Sequence, residues 1–186
     1  MVEPLVIPMI MLEQGTKAVN YKAKLKDIKV FGLSEYKFQT INVQLDKLLL
    51  TGKVDFNRVH LVSDYDIKGR ALVLPVEGNG IFKANLTQVM ADIIVQCSLV
   101  KRKGMEYLDI KDVSVKLNVG GAMANFGNLF NGDPTLSQTT NAFLNENAKD
   151  IIDEIKPAVE AVVGMLIDDI LSKFFKTTPY DKLFIP

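Results

Sequence analysis

The sequence predicts an α+β protein in which a strongly curved sheet of long antiparallel strands is wrapped around one long C-terminal helix. Three observations predict it. Apolar and polar residues alternate with period two over most of the first two thirds of the chain, and turn residues rather than helical patterns separate the alternating runs. The period then changes to 3.6 after Asn131-Gly132-Asp133-Pro134. Long strands that keep one apolar face must coil around something that fills the concave side, and the helix is the segment available to do so.

Taken in order, the apolar start Met1 to Leu12 is interrupted by Glu3, Pro4 and Pro8, which makes it neither an anchor nor a signal peptide. From Val19, Tyr21, Ala23 and Leu25 alternate with Asn20, Lys22 and Lys24; the phase slips at Asp27 to Ile28 and Val30, the mark of a β-bulge. Ile41, Val43 and Leu45 continue the rhythm, as do Val59, Leu61, Tyr65 and Ile67. Gly32, Lys68-Gly69, Gly78-Asn79-Gly80 and Lys101-Arg102-Lys103-Gly104 read as the turns of a meander. Strands are expected over about 16–125 and one helix over about 134–176, with Asp133 as N-cap, Pro134 at the first helical position, a kink at Pro157 and a stop at Thr177-Thr178-Pro179. The helix stripe runs through Leu144, Ala148, Ile151, Ile152, Ile155, Val159, Val162, Val163, Leu166, Ile170 and Phe174.

The 186 residues fit a single domain over 1–186, and 48% hydrophobic content makes it apolar for a globular chain. Twenty-two basic against 22 acidic side chains leave no net charge to attract nucleic acid or an anionic membrane. No run of eighteen apolar residues exists to insert stably in a bilayer.

Catalytic and cofactor chemistry lack their usual residues. The single histidine, His60, reads as a polar-face strand residue, and Asp64 and Asp66 as exposed strand carboxylates. One His and one Cys cannot form the common transition-metal sets, and Cys97, in an alternating apolar run, reads as a small core residue. Gly78-Asn79-Gly80 lacks the third glycine and following helix of a phosphate-binding loop, and Lys101-Arg102-Lys103 reads as a solvated hairpin tip. No enzyme, catalytic residue, metal or cofactor is expected. Asn85-Leu86-Thr87 is a glycosylation sequon, with Asn85 the candidate acceptor, if the chain is secreted.

The segment Tyr65-Asp66-Ile67-Lys68-Gly69-Arg70-Ala71-Leu72-Val73-Leu74-Pro75-Val76-Glu77-Gly78-Asn79-Gly80 closely resembles the Gly-x-(Leu)-x-Leu-Pro-(Ile/Val)-x-Gly-x-Gly signature of the insect takeout and juvenile-hormone-binding protein family. Asn128-Leu129-Phe130-Asn131-Gly132-Asp133, Phe143-Leu144-Asn145-Glu146-Asn147 and Pro179-Tyr180-Asp181-Lys182-Leu183-Phe184 are similar to further motifs of that family, as is Pro4-Leu5-Val6-Ile7-Pro8 to the stretch before its first long strand. The resemblance implies the tubular lipid-binding architecture, with an internal apolar tunnel between sheet and helix. It also implies a secreted, extracellular, monomeric carrier of a small hydrophobic ligand: juvenile hormone, another terpenoid or a fatty acyl compound. Upstream of the part matched here the family has a signal peptide and a segment with a Cys pair, so the chain is expected to be N-terminally shortened. The residues expected to line the tunnel are Leu72, Leu74, Phe82, Met90, Ile94, Val115, Leu117, Ile151, Ile155, Val159, Val162 and Leu166. The alternative is a protein that acts through its surface or transfers lipid without a dedicated small ligand.

Overall fold

The computed structural model describes residues 3–15 and 19–183. Residue 16, where the sequence opens its strand-rich stretch, Met1 of the apolar start and Phe184 of the C-terminal motif lie outside the described residues. Among the described residues six strands form one curled antiparallel sheet: β1 (Leu5–Gly15), β2 (Val19–Phe31), β3 (Lys37–Gln44), β4 (Leu49–Ala71), β5 (Leu74–Arg102) and β6 (Met105–Phe126). Their order is β1-β2-β4-β5-β6, with β3 paired to β4 off that path. Among the described residues three α-helices follow: α1 (Pro134–Glu146), α2 (Ala148–Thr177) and the short α3 (Tyr180–Leu183).

The apolar start is itself the first strand, which corrects the expected opening near residue 16. β1 pairs with β2 from Leu5↔Val30 to Gly15↔Asn20. Pro8 is tolerated because β1 is a sheet edge, where a missing N–H breaks no ladder on the open side.

The phase slip at Asp27 is the expected bulge. Asp27 takes a left-handed φ of 48°, and the β2–β4 register shifts between Lys26 and Lys29. Two expected turns are corrected. Lys68-Gly69 lies inside β4 and Gly78-Asn79-Gly80 inside β5; the chain reverses instead at Leu72-Val73, where Leu72 has φ 55°. Gly69 serves close approach, since a Cβ there would stand 2.7 Å from the Tyr21 Cβ. The turn at Lys103-Gly104 is present as expected.

The single helix expected over 134–176 is two. α1 starts as the sequence indicates, with Asp133 Oδ1 accepting the Leu136 N–H at 2.9 Å and Pro134 in the first turn. It ends at Asn147, whose backbone leaves helical geometry (φ −107°, ψ 21°) and whose Nδ2 donates to the Phe143 carbonyl at 2.8 Å. Pro157, expected to kink the helix, sits within α2, which ends at Thr177 as the Thr-Thr-Pro signal indicates.

The chain packs as two compact units. Unit 1 comprises Met1–Lys37, Asp55–Met90 and Asn118–Ala158; unit 2 comprises Phe38–Val54, Ala91–Leu117 and Val159–Pro186. Unit 1 holds two core clusters, one of Ile28, Val30, Val59 and Val89 and one of Tyr65, Val76, Leu129 and Leu144. Unit 2 is centred on Val95, Cys97, Leu108 and Phe175. Cys97 is the small core residue the sequence suggests, and burial, with Asp109 nearby, pushes its thiol pKa up.

Candidate functional site

In unit 1 the family-like motifs build packing. Tyr65, on the inward face of β4, donates its hydroxyl to the Gly127 carbonyl at 2.7 Å and meets the Phe126 ring edge-on, centroids 5.1 Å apart. Segment 127–129 crosses β5 directly above Gly78 and Gly80. A Cβ on Gly78 would stand 2.9 Å from the Leu129 Cα, and one on Gly80 would collide with the Gly127 carbonyl. Both glycines are therefore close-approach positions, and Leu129 above them is completely buried. Ser137 Oγ on α1 donates to the Leu129 carbonyl at 2.8 Å and fixes the crossing from the other side.

β6 is a sheet edge, and helix side chains occupy part of it. In unit 1, Asn141 and Asn145 of α1 bond the backbone of Phe126 and Ala124. In unit 2, the buried carboxylate of Glu160 accepts the Leu117 N–H at 2.8 Å and the Lys116 ammonium at 3.1 Å. Gly164, one turn on, would bring a Cβ 3.3 Å from the Val113 carbonyl, so α2 lies close against β6 there.

The twelve expected lining residues fall out unevenly. In unit 1, Phe82 and Ile151 pack on the same Tyr65–Leu129–Leu144 cluster, while Leu72, Leu74 and Ile155 are half-buried. In unit 2, Val115 is buried beneath Gly164, and Leu117, Val159, Val162 and Leu166 are half-buried. Met90 and Ile94 require correction. Along β5 the more buried positions are Val76, Phe82 and Ala84 before Gln88, but Val89, Ala91, Val95 and Cys97 after it. Gln88 has φ 52°, and its extra step exchanges the two faces of the strand. Met90 and Ile94 thus stand on the face opposite the core residues, with Ile94 exposed.

Sequence reasoning also missed how α2 divides its apolar residues. In unit 2 the buried positions of the helix are Glu160, Gly164 and Phe175. The neighbouring stripe of Val159, Val163, Leu166, Ile170 and Phe174 is only half-buried at its start and exposed by its end, with Phe174 at 55%. The signal lay in Glu160 and Gly164, a charge and a glycine that interrupt the otherwise apolar stretch 158–167.

Three hydroxyls are buried without a hydrogen-bond partner among the described residues: Tyr21 and Ser63 in unit 1 and Ser98 in unit 2. Burial raises the Tyr21 pKa. Asn85 is exposed and its Oδ1 lies 2.7 Å from His60 Nδ1, a half-buried strand histidine. Among the described residues one recess opens in unit 1 over the Asp27 bulge and another in unit 2, lined by Val43, Leu45, Leu48, Leu108 and Tyr180; neither of these includes any of the twelve residues. Among the described residues no His, Cys, Asp or Glu grouping could hold a metal, and no helix is long and apolar enough to cross a membrane.

Residues 1–185 match the family model described as haemolymph juvenile hormone binding protein (JHBP). The chain belongs to that family. Among its JHBP-family relatives is the circadian clock-controlled protein daywake of Drosophila melanogaster, 24% identical over 190 residues, which span 98% of this chain and 73% of daywake. A Schistocerca gregaria protein named as a candidate beta-carotene binder is 23% identical over 171 residues, covering 88% of this chain and 66% of the relative. The crystal structure of Epiphyas postvittana Takeout 1 superposes with a TM-score of 0.80 at 25% identity, over 94% of this chain and 80% of that one. JHBP-family proteins carry hydrophobic ligands and are not a family of catalysts.

Proposed function

We propose that this chain is a secreted carrier, a single ligand-binding domain that holds one small hydrophobic molecule, a terpenoid such as a juvenile hormone or a fatty acyl compound. The observation that carries the reading is the stripe Val159, Val163, Leu166, Ile170 and Phe174, an apolar helix face that the protein's own side chains leave incompletely covered. Half-covered aliphatic residues on a helix otherwise packed at Glu160, Gly164 and Phe175 are a surface for an apolar guest. Leu117, Val159, Val162 and Leu166, all in unit 2, are the residues assigned to it.

A ligand burying roughly 400 Å² of apolar surface gains about 10 kcal/mol at about 25 cal/mol per Å². Association and ordering costs of several kcal/mol leave micromolar to nanomolar affinity.

Native mass spectrometry of the purified chain, followed by denaturing extraction, tests the reading. A stoichiometric terpenoid or fatty acid supports it. An empty protein that also takes up neither a fluorescent fatty acid nor a juvenile-hormone analogue overturns it. Recovery of the chain from cell lysate but never from the extracellular fluid of its source would overturn the secreted part alone.

A further inference from the structure

Asn85-Leu86-Thr87 is the one Asn-x-Ser/Thr triplet in the chain. β5 carries it in mid-strand, ahead of the face exchange at Gln88, so alternation sets Asn85 and Thr87 on one face of the sheet and Leu86 on the other. Leu86 packs against the cluster of Ile28, Val30, Val59 and Val89, while Asn85 and Thr87 are exposed. The face that holds the triplet's two polar residues is therefore the outer one. With the register one residue over, both would point into the core of unit 1, where a sequon has no use.

The neighbouring strands hold these side chains by atoms that a glycan does not need. His60 on β4 lies against the Phe31 ring, centroids 5.9 Å apart, and its Nδ1 is 2.7 Å from Asn85 Oδ1. With its proton on Nδ1 the imidazole donates to that oxygen. Asn85 Nδ2, the nitrogen to which a glycan is joined, is left without a hydrogen bond to the described residues. Thr87 Oγ1 donates to the Gly121 carbonyl at 3.4 Å, and Gly121 brings no side chain over it. Counting two residues each way along the antiparallel strands sets Met123 of β6, 67% exposed, beside Asn85. Asn85 thus stands in solvent with His60 on one flank and Met123 on the other.

We infer that Asn85 is a site of N-linked glycosylation, an inference that rests on the secreted part of the proposed function. The donor is a lipid-diphosphate-linked oligosaccharide of the secretory membranes. Asn85 Nδ2 forms a bond to the anomeric carbon of the first sugar, the bond from that carbon to the diphosphate oxygen breaks, and Nδ2 gives up one proton as the lipid diphosphate leaves. The amide keeps its Oδ1, so the His60 bond survives the modification and aims the first sugar outward. That sugar covers the exposed Met123 side chain. The glycan stands on the outer face of unit 1, with Leu86 and the cluster around Ile28 and Val59 on the other side of the sheet.

Expression of the full chain in cultured insect cells behind a cleavable secretory leader tests the site. The leader imposes entry into the secretory membranes, and its removal, read at the N-terminus, reports that entry. The wild type should migrate above its bare 20.7 kDa and fall to it on digestion with peptide N-glycosidase, with Asn85 converted to aspartate in the peptide mass spectrum. Asn85→Gln and Thr87→Ala should each run at the bare mass, and Thr87→Ser should keep the glycan. A wild type that has lost its leader and still runs bare, or a glycan that survives Asn85→Gln, would overturn the proposal and leave the carrier reading standing. A chain glycosylated behind the leader but bare when taken from its source would support the acceptor and overturn the secreted part of the proposed function alone.

Discussion

Asn145 bonds the backbone of Ala124 twice: its Nδ2 donates to the Ala124 carbonyl at 2.8 Å, and its Oδ1 accepts the Ala124 N–H at 2.8 Å. Asn141 repeats the arrangement at Phe126, at 3.0 and 2.8 Å. The match is one of pitch. Four residues of helix advance about 6 Å and two residues of strand about 6.6 Å, so an i, i+4 pair on α1 meets alternate backbone positions of β6. A carboxamide offers the donor and acceptor of a peptide group, and the two asparagines stand in for a neighbouring strand.

Replacing Asn145 with Ala should therefore destabilise the fold by about 1–3 kcal/mol, the range for leaving partly buried backbone groups unpaired. Asn145→Asp should cost more, because a carboxylate without a donor would face the Ala124 carbonyl. Urea unfolding of the three proteins measures both. Equal stability of Asn145→Ala and the wild type would remove the edge-pairing role.

Burial raises the Tyr65 pKa to about 12, and the hydroxyl donates to the Gly127 carbonyl. The native state therefore holds this proton more tightly than the unfolded chain, whose tyrosines titrate near 10. The stabilisation is fully present below about pH 10 and is lost as pH rises toward about 12. Unfolding followed across that window should show a shallower fall for Tyr65→Phe than for the wild type.

Gly78→Ala should destabilise by more than about 2 kcal/mol, since the new methyl meets the Leu129 backbone and something must shift. Gly15→Ala is the control, because a Cβ there meets nothing within 4 Å. Thermal unfolding of the two variants should separate them clearly. Comparable melting temperatures would contradict the close crossing of segment 127–129 over β5.

For the proposed carrier role, Leu166→Asp should weaken uptake of a fluorescent fatty acid by at least about tenfold, as a charge on an apolar guest surface requires. Met165→Asp, at a position 71% exposed beside it, should leave uptake within about twofold. Equal binding by both variants would move the ligand away from this face of α2.

Much of the fold was legible because its signals are local. The bulge at Asp27 shows as a broken alternation, and the start of α1 as an Asp-Pro pair before a helical period. The missed features share a different cause. Gly69, Gly78 and Gly80 look like turn glycines, yet each is small because another segment passes over it, and that segment is distant in sequence. Asn147 breaks the helix while Pro157, the residue with the known helix-breaking chemistry, does not end it. β1 was missed because Pro8 argues against a central strand, and only the sheet order reveals that β1 is an edge. Of the expected lining residues, those past Gln88 on β5 were misplaced because a glutamine in left-handed geometry leaves no sequence mark.

Gln88 gives β5 something like a reading frame. Residues on its two sides are written in opposite registers, and the insertion of one position is what lets each side bury its apolar residues in its own core cluster. A one-residue deletion there would act as a frameshift in the folded molecule: Val89, Ala91, Val95 and Cys97 would rotate outward, and Asp92 and Gln96 would turn toward Leu108 and Phe175.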